Sequence, residues 1–360
     1  MKNFFKSFKN KKIVITGHTG FKGAWLTYWL IKMDAKILGI SNNYVSSPSL
    51  FKILKLRKKI KHKIIDIIDY KKVQKEILNF KPDFLFHLAA QSLVKKSYQN
   101  PLYTFKTNSI GTLNILDVLG QLKKKCYAVI ITSDKSYKNL EIKRGYKETD
   151  LIGGYDPYSA SKGAAELIIQ SYMNSFFKRN KYLSIAVARA GNVIGGGDWS
   201  DDRLIPDCIK SWSKGKKVVL RNPQSTRPWQ HVLDVIFGYL LLAINLKKTK
   251  KLSCEVFNFG PGNNQVKSVK SLVREMGKSW AKISWKIVKN KFFFEHNLLK
   301  LNSEKAKKKL NWKCILSFRE AVKLTTVWYK AYYSKKNIIE LTNQQLKIYS
   351  KKILRKSNNS

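Results

Sequence analysis

The stretch from Lys12 to Met33 constrains this chain more than any other. Lys12-Ile-Val-Ile-Thr16 is a short apolar run rich in β-formers. Gly17-His-Thr-Gly20-Phe-Lys-Gly23 follows, and an amphipathic stretch continues from Ala24 to Met33. Strand, glycine turn and helix in that order form the setting that a dinucleotide-binding fingerprint requires. Gly17 permits the tight turn, Gly20 lets backbone approach a pyrophosphate, and Gly23 lets helix and strand pack closely. Thr19, Phe21 and Lys22 lie between them and are expected to line the same cradle. The N–H groups of the helix start then face the phosphates.

The same alternation continues. Ala35–Ile40 predicts a second strand ending at Ser41-Asn42-Asn43, and Lys63–Asp69 a third, with Asp66 and Ile67 placed to meet an adenine edge. A helix is expected over about 70–79. Pro82–Ala90 predicts a fourth strand running into Leu88, Ala89 and Ala90, small enough at its end for close approach of a cofactor. A long helical stretch follows Pro101 to about Lys124 and contains Asn108. Cys126–Thr132 is a fifth strand with Ser133-Asp134-Lys135 at its carboxyl end, followed by a helix over 158–178 and a strand over Leu183–Arg189. Repeated β-α units imply a doubly wound parallel sheet with helices on both faces, and ligands bind beyond the carboxyl ends of such strands. After Gly191 the elements shorten and are punctuated by Gly195-Gly-Gly, Pro206, Asn222-Pro223 and Pro228. The expected organisation is therefore α/β: a Rossmann-type domain over 1–190, a smaller and mainly C-terminal lobe over 191–350 with some segments free to return to the first domain and an amphipathic last helix over Leu341–Tyr349, and a polar basic tail over 351–360 that frays.

Composition enters where partners are concerned. The formal charge is +47, from 70 Lys and Arg against 23 Asp and Glu. One reading is a nucleic-acid binder steered by its field. Only ten of the basic residues are Arg, however, and the lysines are spread along the chain. Specific phosphate and base recognition favours Arg, and a binder concentrates charge on one face. The charge is read as compositional, with no nucleic-acid partner. Four widely spaced cysteines form no metal or redox motif, so no metal is expected. No apolar run reaches the length of a membrane span, and the N-terminus lacks an apolar signal core. The expected location is the cytoplasm, with reduced thiols.

Tyr158-Ser-Ala-Ser-Lys162 places a phenol and an ammonium one helical turn apart on one face. An ammonium beside a phenol favours the phenolate, and a phenolate near neutral pH can take a proton from a sugar hydroxyl. On its own the pattern is weak, because a half-buried Tyr beside a surface Lys reads the same way.

Together the motifs resemble the extended short-chain dehydrogenase/reductase family, and within it the CDP-glucose 4,6-dehydratases. The resemblance is carried by Thr16-Gly-His-Thr-Gly-Phe-Lys-Gly23, His87-Leu-Ala-Ala-Gln-Ser-Leu-Val94, Thr132-Ser-Asp-Lys135, Asp156-Pro-Tyr-Ser-Ala-Ser-Lys-Gly163, Ala188-Arg-Ala-Gly-Asn-Val-Ile-Gly-Gly-Gly-Asp-Trp199, Arg203-Leu-Ile-Pro-Asp207 and Arg227-Pro-Trp-Gln-His231. It implies NAD as cofactor, a nucleotide sugar (CDP-glucose) as substrate, a homodimer or homotetramer, and a place in deoxysugar synthesis for surface polysaccharide such as O-antigen lipopolysaccharide. The usual ribose carboxylate is replaced by Asn43. With no Arg nearby to accept a ribose phosphate, NAD is preferred to NADP.

The implied chemistry is an internal redox cycle. Tyr158 removes the proton of the 4-hydroxyl as carbon 4 is oxidised. Lys162 lowers the Tyr158 pKa and holds the nicotinamide ribose, while Ser133 bonds the 4-oxygen. Asp134 protonates the departing 6-hydroxyl, and Lys135 acts as base at carbon 5 or as a cation stabilising the enolate. A salt bridge between Asp134 and Lys135 would push both pKa values the wrong way. Arg203 and Arg227 are candidates for the pyrophosphate. Asn192, Gln91 and Asn108 are candidates for sugar or phosphate oxygens. Trp199 and Trp229 either border the ligand or pack, and His231 is either a contact or a structural histidine. A 4-epimerase or reductase on the same scaffold is the alternative reading; it would keep Tyr158 and Lys162 and have no use for Asp134 with Lys135.

Overall fold

The computed structural model describes residues 2–262, 265–288 and 298–358. Its frame is a seven-stranded sheet whose strands alternate with helices. In chain order these are β1 (Lys12–Thr16), α1 (Phe21–Ile31), β2 (Lys36–Ser41), β3 (Lys61–Ile64), α2 (Tyr70–Phe80), β4 (Phe84–His87), α3 (Gly111–Gly120), β5 (Cys126–Ile131), α4 (Pro157–Tyr172) and β6 (Leu183–Ala190). They continue with α5 (Leu204–Trp212), β7 (Val218–Leu220), which lies outside the sheet, α6 (Val232–Lys248), β8 (Glu255–Phe259), the seventh strand of the sheet, α7 (Phe318–Tyr333) and α8 (Ile338–Asn358). The sheet order is β8-β6-β5-β4-β1-β2-β3, and all its pairings are parallel. The order reverses at β1, so the carboxyl ends of β1 and β4 open a crevice between them.

Parallel strands covered on both faces read as continuous apolar runs, and Ile13, Val14 and Ile15 are all fully buried. Two apolar cores result, one on each side of the sheet. One is built from α1, α6 and the C-terminal elements; the other comes largely from α2, α3 and α4. α6 is apolar on nearly all sides and buried almost throughout, as a helix enclosed between layers must be.

The structure departs from the expected boundaries at several places. The third strand ends at Ile64, so Asp66 and Ile67 lie in the loop beyond it. The long helix after Pro101 is broken by a wider turn over Lys106–Ile110 that carries Asn108. Residues 232–259 return to the sheet as α6 and β8, with β8 pairing β6 from Glu255↔Ala186 to Phe259↔Ala190. The rest of the C-terminal half contributes short strand pairs: 193–194 with 230–231, 226–228 with 266–268, and 218–220 with 285–287. The expected fraying tail is instead the end of α8. Leu346, Tyr349 and Ile353, spaced at i, i+3 and i+7, bury one face of it. Residues 359 and 360 of that tail lie outside the described residues.

Candidate active site

The glycine turn is built as the spacing requires. Gly17 has φ +76°, and a Cβ there would stand 2.6 Å from the Ala89 nitrogen. A Cβ on Gly23 would stand 2.1 Å from the Gly17 carbonyl oxygen. Larger residues would push β1, β4 and α1 apart. Gly20 is the N-cap of α1 and offers no capping side chain, and the first turn carries no acidic residue. The positive end of α1 is therefore presented to the crevice. Beside it, the Thr19 hydroxyl donates to the Asn43 carbonyl (2.6 Å) and the Thr19 N–H to Ser41 Oγ (3.3 Å). Asp66 accepts from Asn42 Nδ2 (3.1 Å) and from the Ile68 N–H (3.0 Å).

Ser133 to Ser136 make a tight turn directly beyond β5. Ser133 Oγ donates to Asp134 Oδ1 (3.0 Å) and accepts from the Lys135 N–H (3.2 Å), and Ser136 Oγ donates to the Ser133 carbonyl (2.6 Å). The other Asp134 oxygen, Oδ2, is buried with no hydrogen-bond partner. Gly191 supplies the space for it, since a Cβ there would lie 3.1 Å away. Burial raises the Asp134 pKa, and the charge of Lys135 and the Ser133 hydroxyl only partly oppose this. Among the described ion pairs none joins Asp134 to Lys135, so the pairing that would hold this carboxyl ionised is absent.

α4 starts where its sequence says it should. Asp156 caps it by accepting from the Ser159 N–H (3.0 Å), and Pro157 occupies the first helical position. Tyr158 and Lys162 then face inward, 8% and 5% exposed. Burial pulls Lys162 down to about 8, and the charge of Glu166 acts in the opposite sense. Tyr158 departs from expectation. Burial raises its pKa, Ser133 and Arg203 pull it back, and Lys162 is not among the leading charges that act on it. The expected lowering by Lys162 is replaced by a desolvated phenol next to Ser133. Burial also lowers Lys22 to about 8, helped by repulsion from Arg203 and Lys162 and offset by Asp134 and Asp198.

These groups share one cleft of ≈ 570 Å³ that runs from the glycine turn to Arg221 and Arg227. At the cofactor end it is lined by Gly17, Thr19 to Gly23, Asn43, Asp66, Ile67 and Leu88 to Ala90; in its middle by Ser133, Asp134, Lys135, Tyr158 and Lys162; and on the far side by Gln91, Asn192, Arg203, Arg227 and Trp229. A glycine cradle, an uncapped helix start and an inward Tyr and Lys at the switch point fit a nicotinamide dinucleotide.

The model for the family described as GDP-mannose 4,6 dehydratase matches residues 14–325. The chain belongs to that family. A CDP-glucose 4,6-dehydratase of Salmonella typhimurium is 40% identical over 353 residues, covering 97% of this chain and 98% of the relative. A UDP-glucose 4-epimerase of Mycoplasma pneumoniae is 24% identical over 341 residues, covering 90% and 98%. Among solved structures, dTDP-glucose 4,6-dehydratase of Bacillus anthracis in complex with NAD has the same fold, with a TM-score of 0.75, 21% identity and 91% and 99% of the two chains covered.

Three expected contacts of this GDP-mannose 4,6 dehydratase family member lie outside the cleft. Trp199 packs edge-on against Trp328, Tyr329 and Tyr332, because the Gly195-Gly-Gly turn brings it down onto α7. His231 is fully buried; its Nδ1 accepts from the Leu233 N–H (3.2 Å) to cap α6, and burial lowers its pKa to about 3. Asn108 is buried as a bracket: its Oδ1 accepts from the Gln91 N–H (2.8 Å), and its Nδ2 donates to the Gln91 carbonyl (3.0 Å) and Ser161 Oγ (2.9 Å). Trp229 lines the cleft with its edge tied down, since Nε1 donates to the Lys267 carbonyl (2.9 Å). The Gln91 amide is spent on Leu93 and Thr104. Arg203 is held by Asp198 (3.0 Å) and Ser92 (3.2 Å), close enough for its charge to act on Tyr158 and Lys22. Sequence reading passed over Asn42, Asp198 and Arg221, whose side chains are ordinary polar residues until the fold brings them to the cleft. It also passed over Glu166, although its place four residues after Lys162 was a usable signal.

Proposed function

We propose that this protein is an NAD-dependent hydro-lyase converting CDP-D-glucose to CDP-4-dehydro-6-deoxy-D-glucose and water. The observation that carries the reading is Asp134: a buried carboxyl with one unpartnered oxygen and a raised pKa, in the turn beside Tyr158. A 4-epimerase exchanges hydride at carbon 4 alone and has no task for such an acid. The near-full-length likeness to a CDP-glucose 4,6-dehydratase supports the same choice and carries the identity of the nucleotide.

NAD, when bound, would supply hydride acceptance at carbon 4 and hydride donation at carbon 6. The α1 start and its glycines would hold the cofactor diphosphate, and Lys162 the nicotinamide ribose. Tyr158, with Ser133 at the same oxygen, takes the proton of the 4-hydroxyl. Once carbon 4 is a ketone the proton on carbon 5 is acidic, and Lys135 removes it or stabilises the enolate; a proton returns to carbon 5 as hydride reaches carbon 6. Asp134, protonated in its desolvated pocket, gives its proton to the departing 6-hydroxyl. Arg227 and Arg221 at the far end supply guanidinium groups for the nucleotide diphosphate.

The active form is proposed to be a homodimer or homotetramer. The segments 101–110 and 157–177, which pack against each other, expose Leu102, Ile110, Leu167 and Phe176, between 45% and 65% each, and exposed apolar side chains on neighbouring elements suit association. A cytoplasmic location is supported by four free cysteines and by the absence, among the described residues, of a helix long and apolar enough to cross a membrane. The product suits the synthesis of deoxysugars for surface polysaccharide.

Incubation with CDP-glucose and catalytic NAD, followed by mass spectrometry of the sugar nucleotide, tests the reading. Loss of one water without accumulating NADH is expected. An unchanged mass with inverted carbon 4 would transfer the protein to the epimerases.

A further inference from the structure

Glu166 and Arg189 form an ion pair with no exposed surface on either side chain. Arg189 Nε and Nη2 donate to Glu166 Oε1 (2.8 Å) and Oε2 (3.0 Å) in a two-pronged contact. A pair so buried loses solvation on both ions, and well-packed apolar residues of the same volume commonly serve stability as well or better. Its other contacts point to a role beyond stability. Thr132, the residue before the Ser-Asp-Lys turn, donates its hydroxyl to Glu166 Oε1 (2.5 Å). Tyr137, the residue after Ser136, accepts from Arg189 Nη1 (2.6 Å), and its ring lies under the guanidinium with the centroid at 4.5 Å. The two ends of the turn that holds Ser133, Asp134 and Lys135 are thus gripped by one ion pair.

Glu166 lies four residues after Lys162 and eight after Tyr158, on the same buried face of α4. Arg189 is one residue from the end of β6, and its Nη1 also donates to the Glu148 carbonyl (3.2 Å). Four N–H donors of the guanidinium and both carboxylate oxygens are occupied. We propose that Glu166 and Arg189 are positioning residues that set the separation between the helix bearing Tyr158 and Lys162 and the turn bearing Asp134 and Lys135. A reaction that oxidises carbon 4 from one element and eliminates across carbons 5 and 6 from the other needs that separation fixed, because a misplacement of about 1 Å can cost roughly 100-fold in rate. Thr132 and Tyr137 transmit the constraint, and Asn258 on β8, which accepts from the Tyr137 hydroxyl (2.9 Å), anchors its outer end.

The inference rests on the proposed dehydration for its kinetic consequence, and on geometry alone for its structural one. The test is the double variant Glu166→Leu/Arg189→Met, which avoids leaving one charge buried alone. Its thermal unfolding is compared with that of the parent, amide hydrogen exchange is followed by mass spectrometry, dehydration of CDP-glucose is followed by product mass, and reduced bound cofactor is followed at 340 nm. The expected result is a cooperative unfolding transition, exchange at residues 133–137 faster by about tenfold or more with β5 and α4 protected as before, and a bound reduced cofactor that builds up as elimination falls behind oxidation. Unchanged exchange across 133–137, or loosening spread over the whole sheet, overturns the proposal. So does a rate loss that touches oxidation and elimination equally. If the parent protein leaves CDP-glucose untouched, the proposed function falls, while the exchange measurement still decides the role of the ion pair.

Discussion

Tyr158 and Asp134 make opposite demands on proton affinity, and one desolvated pocket meets only one of them unaided. Burial raises both pKa values. That suits the proposed role of Asp134 as the acid that protonates the leaving hydroxyl, and leaves Tyr158 to the lowering effects of Ser133 and the Arg203 charge. Tyr158→Phe is therefore expected to cut turnover by roughly 10²–10⁴-fold while NAD still binds, as equilibrium dialysis will report; retained turnover would assign the proton to another group. Asp134→Asn keeps the shape and removes the acid. Oxidation at carbon 4 should then proceed and elimination lag, seen as absorbance at 340 nm in a single turnover, whereas a block before any hydride moves would place Asp134 in the oxidation step instead. Lys162 allows a test by stability. Its folded value of about 8 lies below its ordinary 10.5, so between those values the folded chain binds fewer protons than the unfolded one. The cost of the buried ammonium is fully present below pH 8 and fades as pH rises toward 10.5. Lys162→Met is expected to be more stable than the parent at pH 7 by on the order of 2–3 kcal/mol, and no more stable near pH 10.5, by urea unfolding at both values.

At the scale of elements, the glycine turn and α4 were legible because each satisfies a local rule: a positive φ at Gly17, a close approach at Gly23, an Asp cap and a Pro start at 156–157. The trailing segment was legible in part: the amphipathic stretch Leu341–Tyr349 reads as a last helix, whereas 351–360 reads as fraying chain. α8 lays Tyr349 against Trp29 (ring centroids 5.7 Å) and Phe237 (6.4 Å) and donates from its hydroxyl to Asp234 Oδ1 (2.8 Å). Beyond Tyr349 lysines surround the few apolar residues, so the continuation of α8 to Asn358 does not stand out from the sequence. Tyr349→Ala is expected to cost about 3–5 kcal/mol, as for other buried aromatics truncated to Ala, measured by the shift of the urea midpoint. A change within experimental error would show that α8 is dispensable to the core.

For the molecule as a whole, the excess of Lys leaves acids shared. Glu76 faces Lys61 and Lys63, and Glu255 faces Lys305 and Lys309. Such exposed pairs contribute little each, and the charge is spread over the surface. The proposed association rests on the exposed apolar residues Leu102, Ile110, Leu167 and Phe176. If the proposed oligomer forms through these residues, Leu102→Glu/Phe176→Glu converts it to monomers in light scattering after gel filtration, with the unfolding transition of the monomer intact. An unaltered mass would place the interface elsewhere.

The amino-acid sequence by itself determined the alternation of strands and helices, the glycine cradle and the two catalytic segments, because these depend on contacts within a few residues or on a motif of fixed spacing. Tertiary structure decided which of the remaining polar and aromatic residues reach the cleft. Trp199, His231 and Asn108 carry side chains suited to a ligand, and long-range packing turns all three inward. Arg189 and Glu166, 23 positions apart, meet only because β6 lies beside β5 beneath α4. A sequence records what a side chain can do; which partner it meets is set by the register of strands that are distant along the chain.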